Sequence, residues 1–309
     1  MIVSVTQPTA TWLLVVFVAF SGAACGGVQS QDETAEGSLP EQFVRVEHEH
    51  ADLDMGPPQL LTVEGSGAAR YVAYTNNHHR ESPGIGIYTN TLERSQVEAL
   101  FDVLADPPFQ TWEDHRGRVP LDAEYQRIRL ITGQVPPPEK MYSHAEPIPA
   151  QAEAALARLD EVVDLLLRHP QRTVKMVLHE VSADAEGRLR GVITFLATGT
   201  EGVRCRSPVD VRGAPGSGLR LTVWGAGEVN DVVVERVDLA PDQDRDRLAG
   251  PLLDLAAGGS ALFTFEVSLA ELPPGDLQAL VIYRADPSDM GGHGIVAGEL
   301  CSLPVVVDR

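Results

Sequence analysis

The first twenty-four residues hold no charged side chain, and in the rest of the chain lysine occurs only at Lys140 and Lys175. Arginine supplies the other cations and is outweighed, leaving a formal net charge of -20 and a pI near 4.7. Nucleic acid and anionic lipid headgroups are bound by basic surfaces, so neither is an expected partner. Catalytic signatures are lacking too. His179-Glu180 has no second histidine one helical turn on, which excludes the zinc-protease helix. Gly65-Ser66-Gly67 and Gly216-Ser217-Gly218 have the wrong spacing for a nucleophile elbow. No glycine-rich phosphate loop ends in lysine, and no catalytic residue is assigned.

What is present begins with an unbroken apolar run, Trp12 to Phe20. A membrane-spanning helix needs about 20 apolar residues, whereas the core of a signal peptide needs roughly 7–15. Small residues follow at Ser21-Gly22-Ala23-Ala24, and then Cys25. The arrangement resembles the lipobox of bacterial lipoproteins, which implies a signal peptide over 1–24, lipid on the Cys25 thiol and residence on a membrane of the bacterial envelope, periplasmic or outer. The alternative is an ordinary cleaved signal. Lipid suffices as an anchor because each buried methylene contributes about 0.8 kcal/mol and two or more chains hold firmly. Residues 25–40 are polar and acidic and predict a flexible tether.

Residues 41–170 alternate in the strand period at Phe43 to His50 and Leu61 to Glu64, with further strands at Tyr71 to Thr75, Ile85 to Thr89 and Tyr125 to Ile131. One helix is expected from Ser95, with Glu98 at capping-box spacing and Val97, Leu100, Phe101 and Leu104 on one face. A second starts near Pro149 and buries Ala152, Leu156, Leu159, Val163 and Leu166. Such an order implies an α+β domain, an antiparallel sheet with two packed helices. Over residues 59–168 the succession of strand, Gly65-containing turn, helix, Phe109, a Tyr125-x-x-Ile128 strand and a last helix resembles the emfourin-type inhibitors of thermolysin-like metalloproteases. The resemblance implies a module able to occlude a protease cleft.

Residues 172–309 show short apolar runs divided by Gly, Pro and Asp, from Val174 to Leu178 through Leu303 to Val307. About seven such runs point to an all-β sandwich. Glu271-Leu272-Pro273-Pro274-Gly275-Asp276 leading into a strand is similar to bacterial immunoglobulin-like domains. With Cys25 committed to lipid, Cys205 and Cys301 form an even pair in an oxidising compartment, which predicts a disulfide, the alternative being two buried thiols. Closing so long a loop stabilises a fold by roughly 4–5 kcal/mol in the chain-entropy model.

His48, His50 and Asp52 alternate along one strand and are the candidate metal ligands, although an exposed polar edge strand has the same pattern. No cofactor is assigned on so few residues. Asp242 to Asp246 begins like a calcium loop but has Arg247 and Leu253 where glycine and glutamate belong. The reading is a lipid-anchored, non-enzymatic module that binds a protein partner, with a protease as one target. An enzyme or metal-dependent ligand binder with its site between the domains, and a plain spacer, are the alternatives.

Overall fold

The computed structural model describes residues 43–51, 58–76, 84–116, 123–132, 134–209, 218–234, 236–244, 248, 250–269, 275–286 and 295–308. All belong to the second of two units into which the chain divides, Leu39–Arg309. Cys25, Asp52 and the tether lie outside the described residues.

Period-two alternation builds the first strands: β1 (Phe43–Ala51), β2 (Gln59–Glu64), β3 (Ala68–Ala73) and β4 (Ile85–Thr91) are successive antiparallel neighbours. On the other side of β1 lie β5 (Tyr125–Thr132) and β6 (Glu139–Ser143). Two helices cover one face, α1 (Arg94–Ala105) and α2 (Ala150–Leu167). Val46, Leu61, Tyr71, Ile128 and Leu130 of the sheet form a core with the apolar helix faces expected from periodicity. Each large side chain so buried contributes roughly 1.5–3 kcal/mol. The cap of α1 is displaced from the expected Ser95. Glu93 is the cap, and its backbone N–H donates to the Gln96 side chain at 2.9 Å, while Glu98 pairs with Arg94 at 2.8 Å.

After α2 the chain enters β7 (Pro170–Ala183), a strand of 14 residues. Its first part pairs antiparallel with β4, and most of its length pairs with β8 (Arg188–Ala197). A three-stranded sheet holds β9 (Val203–Arg206), β13 (Leu252–Leu255) and β16 (Ile295–Val296). The remaining strands are β10 (Gly218–Gly225), β11 (Glu228–Val233), β12 (Arg236–Leu239), β14 (Ser260–Ser268), β15 (Gln278–Ala285), β17 (Gly298–Cys301) and β18 (Val305–Asp308). They enclose a second core around Phe195, whose ring meets those of Phe263 and Tyr283 edge-on.

The expected fold class, an α+β sheet followed by an immunoglobulin-like sandwich, is corrected. One mixed sheet of 15 strands runs β11-β10-β15-β18-β7-β4-β3-β2-β1-β5-β6, with β8, β14, β12 and β17 branching from it. The physical reason is β7, which is long enough to pair with β4 at one end and, in parallel, with β18 at the other. No helix among the described residues is long and apolar enough to cross a membrane.

Side chains also tie the seam. The Asn76 amide donates to the Cys301 carbonyl at 2.8 Å and accepts the Cys301 N–H at 2.7 Å, both buried. The expected bond between Cys205 and Cys301 is a further correction, since both are buried thiols and not joined. Cys205 points into the second core beside Val203, whereas in β17 it is Leu300 that enters that core. Alternation turns the neighbouring Cys301 side chain to the opposite face of the strand. Burial pushes the Cys205 thiol up to about 12, so it is unreactive at neutral pH.

Candidate metal centre

The two faces of β1 have opposite chemistry. Glu47 and Glu49 face away from the helices and pair with Arg129 (3.4 Å) and Arg127. Val46, His48 and His50 therefore share the helix-covered face, where His48 is buried and His50 half-buried.

Register decides what meets them. His50 stands opposite Gln59 of β2 and Gln126 of β5, and Gln126 stands opposite Tyr142 of β6. One polar row thus crosses the sheet near the end of β1. Just beyond it, the His144 N–H donates to the Glu124 carbonyl at 3.2 Å, bringing both side chains beside His50. His115 steadies this corner: its Nδ1 accepts the Ser143 N–H at 3.0 Å, and its ring meets Tyr142 edge-on.

The result is a cluster of two imidazoles and a carboxylate. Nitrogen and oxygen atoms of His50, Glu124 and His144 lie within 4.8 Å of one another. His50 Nε2 is 2.7 Å from Glu124 Oε1, and His144 Nε2 is 3.8 Å from the same oxygen. The two imidazole rings stack at 5.8 Å with planes 13° apart. Side-chain exposures of 27% for His50, 36% for Glu124 and 38% for His144 leave the donors reachable from solvent.

Gln126 organises the pair behind them. His48 Nε2–H donates to Gln126 Oε1 at 2.9 Å, so the Gln126 amide must donate in turn to His144 Nε2, also at 2.9 Å. That assignment puts the His144 proton on Nδ1 and has its Nε2 lone pair accept the Gln126 N–H, a bond that an ion at Nε2 would displace. Burial holds the His48 imidazole down at about 4, with the Gln126 bond opposing and His50 reinforcing the shift, so His48 is neutral at pH 7. Desolvation raises the Asp160 carboxyl of α2 above the usual carboxylate range, while His50 and His144 act to lower it.

These donors suit a first-row divalent ion. Ligand atoms at about 2.0–2.2 Å from a tetrahedral ion stand roughly 3.3–3.6 Å apart, so the 2.7 and 3.8 Å separations bracket the requirement. Two nitrogens and one carboxylate favour zinc, copper, nickel or iron over calcium and magnesium, which take oxygen shells. Three protein donors leave a fourth tetrahedral position to fill.

Of the candidate ligands expected from sequence, the structure brings His50 into the cluster and sets His48 behind it as a support. Asp52 lies outside the described residues. Glu124, Gln126 and His144 were missed. Gln126 carries a signal, being in phase with the buried Ile128 and Leu130, but Glu124 and His144 flank their strands and belong to no periodic pattern. The cluster lies at the β1-β5-β6 end of the first sheet, away from the seam of β4 with β7.

No family model matches the chain, and no curated protein matches it. Among solved structures it is similar to the alkylpurine DNA glycosylase AlkC of Pseudomonas fluorescens, bound to DNA containing an abasic site analog. That match has 13% identity and a TM-score of 0.20, covering 52% of this chain and 37% of the glycosylase. AvmM, which catalyses macrocyclization in alchivemycin A biosynthesis, matches at 7% identity and a TM-score of 0.23, over 46% of this chain and 90% of AvmM. Likenesses of this size carry no argument about the fold or the chemistry here.

Proposed function

We propose that this chain is an exported binding protein, held to a membrane of the bacterial envelope by lipid on Cys25, whose first sheet takes one divalent transition-metal ion at His50, Glu124 and His144. The convergence of those three side chains supports the metal reading. They come from positions 50, 124 and 144 of the chain, and strand register alone assembles them. His48 and Gln126 hold the His144 ring beside Glu124, Gln126 occupying the His144 Nε2 position that an ion would take over.

Equilibrium dialysis against Zn2+ at pH 7.5 should give one ion per chain. His50→Ala and His144→Ala should each weaken binding by about 100-fold or more, since loss of supporting contacts alone costs roughly 10–100-fold. Bound zinc should also raise the Tm of the parent chain and not of the variants, because a ligand that binds only the folded state stabilises it. Equal zinc retention by parent and variants would overturn the proposal.

The anchor has a separate support and a separate test. Its support is the apolar run ending in small residues before Cys25. Cys25→Ser expressed in a bacterial host should move the protein from the membrane fraction to the soluble fraction. Unchanged fractionation would remove the lipid from the reading.

A further inference from the structure

Each donor of the cluster has a hydrogen-bond partner within the protein. His50 Nε2 lies 2.7 Å from Glu124 Oε1, and His144 Nε2 accepts the Gln126 amide at 2.9 Å. The Gln126 amide is fixed from behind, because its Oε1 takes the N–H of the buried His48. A neutral imidazole has one nitrogen lone pair to offer, so at His144 Nε2 the amide and an ion exclude each other. With zinc about 2.0–2.1 Å from that nitrogen, the amide nitrogen at 2.9 Å would stand within roughly 1 Å of the ion. Gln126 has to leave for the ion to enter.

Leaving is costly, because Gln126 is only 7% exposed and its released amide is not simply handed to water. Stripping a buried polar group of its partner is a penalty equivalent to roughly 5–150-fold in a binding constant. The hold on His144 does not rest on this bond alone. Its backbone N–H donates to the Glu124 carbonyl at 3.2 Å, and its ring stacks on that of His50 at 5.8 Å. Removing the amide therefore frees the lone pair more than it loosens the ring.

We infer that Gln126 is an internal competitor for the ion, a latch on His144 that sets how tightly the centre binds and keeps the ion exchangeable. The inference rests on the metal reading above and says how that site is regulated. His48, Gln126 and His144 form one hydrogen-bonded chain from β1 through β5 to the residue after β6. The protein's own groups thus satisfy the donors, and the fold does not wait for metal. Such a centre loads and releases an ion from a folded chain, whereas small structural zinc domains fold only on binding.

Zinc titration of the full chain and of Gln126→Leu, in competition with a chromophoric chelator, tests it. Gln126→Leu should bind zinc roughly 5–150-fold more tightly than the parent, a gain that damage to the fold would not produce. The parent alone gives a second readout should the variant not fold. In isotope-labelled protein the nitrogen–nitrogen coupling across the hydrogen bond from Gln126 to His144 should be present in chelator and vanish with one equivalent of zinc. Equal affinity in parent and Gln126→Leu would overturn the inference while leaving the three-donor centre intact. Weaker binding by the variant would also overturn it, making Gln126 a support or a ligand, as would a coupling that persists in the zinc-loaded parent. Absence of zinc binding by both chains would instead overturn the centre itself.

Discussion

Gly86→Ala is expected to destabilise the protein by about 4 kcal/mol, the sum of roughly 1–3 kcal/mol each for backbone strain and overpacking. Gly86 has φ +133, a conformation that L side chains rarely adopt, and lies opposite Thr173 at the seam of β4 with β7. A Cβ built there would stand 2.1 Å from the Arg172 carbonyl oxygen and 3.0 Å from Thr173 Cα. Both obstacles are backbone, so no rotamer change relieves them, and β4 must move away from β7. That seam joins the strands beneath the helices to the strands around Phe195, hence its loss reaches both cores. Gly227→Ala is the control, with φ +88 and nothing within 4 Å of its Cβ, and should cost about 1–2 kcal/mol from strain alone. Urea unfolding followed by circular dichroism separates the two. Equal costs for Gly86→Ala and Gly227→Ala would show that the β4 to β7 approach is not close-packed.

The seam also explains which parts of the fold were legible in the sequence. Helical periodicity read the buried faces of α1 and α2 correctly, because each face is a local property of its own residues. Strand alternation likewise located Leu219 to Trp224 and Ala261 to Val267. Which strand pairs with which is not local. Val174 to Leu178 reads as a short strand, yet the chain passes a register shift near His179 and continues to Ala183, and this extension carries the pairing to β18. The four-residue strands β9 and β13 are too short for their alternation to stand out from loop sequence.

Cysteine arithmetic failed for a related reason. It counts thiols and compartment but not the face of a strand, and Cys301 follows Leu300, the residue that points into the second core. The candidate centre was half legible: His48 and His50 alternate visibly, while their partners arrive through pairing of β1 with β5 and of β5 with β6. Glu124 stands only two positions before Gln126, yet of the pair Gln126 alone lies in a strand.

His48 is expected to make the protein lose about 3 kcal/mol of stability on acidification from pH 6.5 to 4. Its imidazole is buried, with one ring nitrogen donating to Gln126, and desolvation holds it at about 4 in the folded chain against an ordinary 6.5. Between those values the unfolded chain binds the proton and the folded chain resists it, so stability rises with pH through the window and is lost as pH falls. A gap of this size corresponds to about 3 kcal/mol at 1.36 kcal/mol per unit. His48→Gln keeps a donor for Gln126 and removes the titration, so its stability should fall less than that of the parent over the same window. The comparison belongs in a chelator, because acid would also protonate His50 and His144 and release any bound ion, a separate loss with the same sign. Parallel curves for parent and His48→Gln between pH 6.5 and 4 would show that the imidazole is solvated, and that the bond from His48 to Gln126 is not what holds the Gln126 amide toward His144.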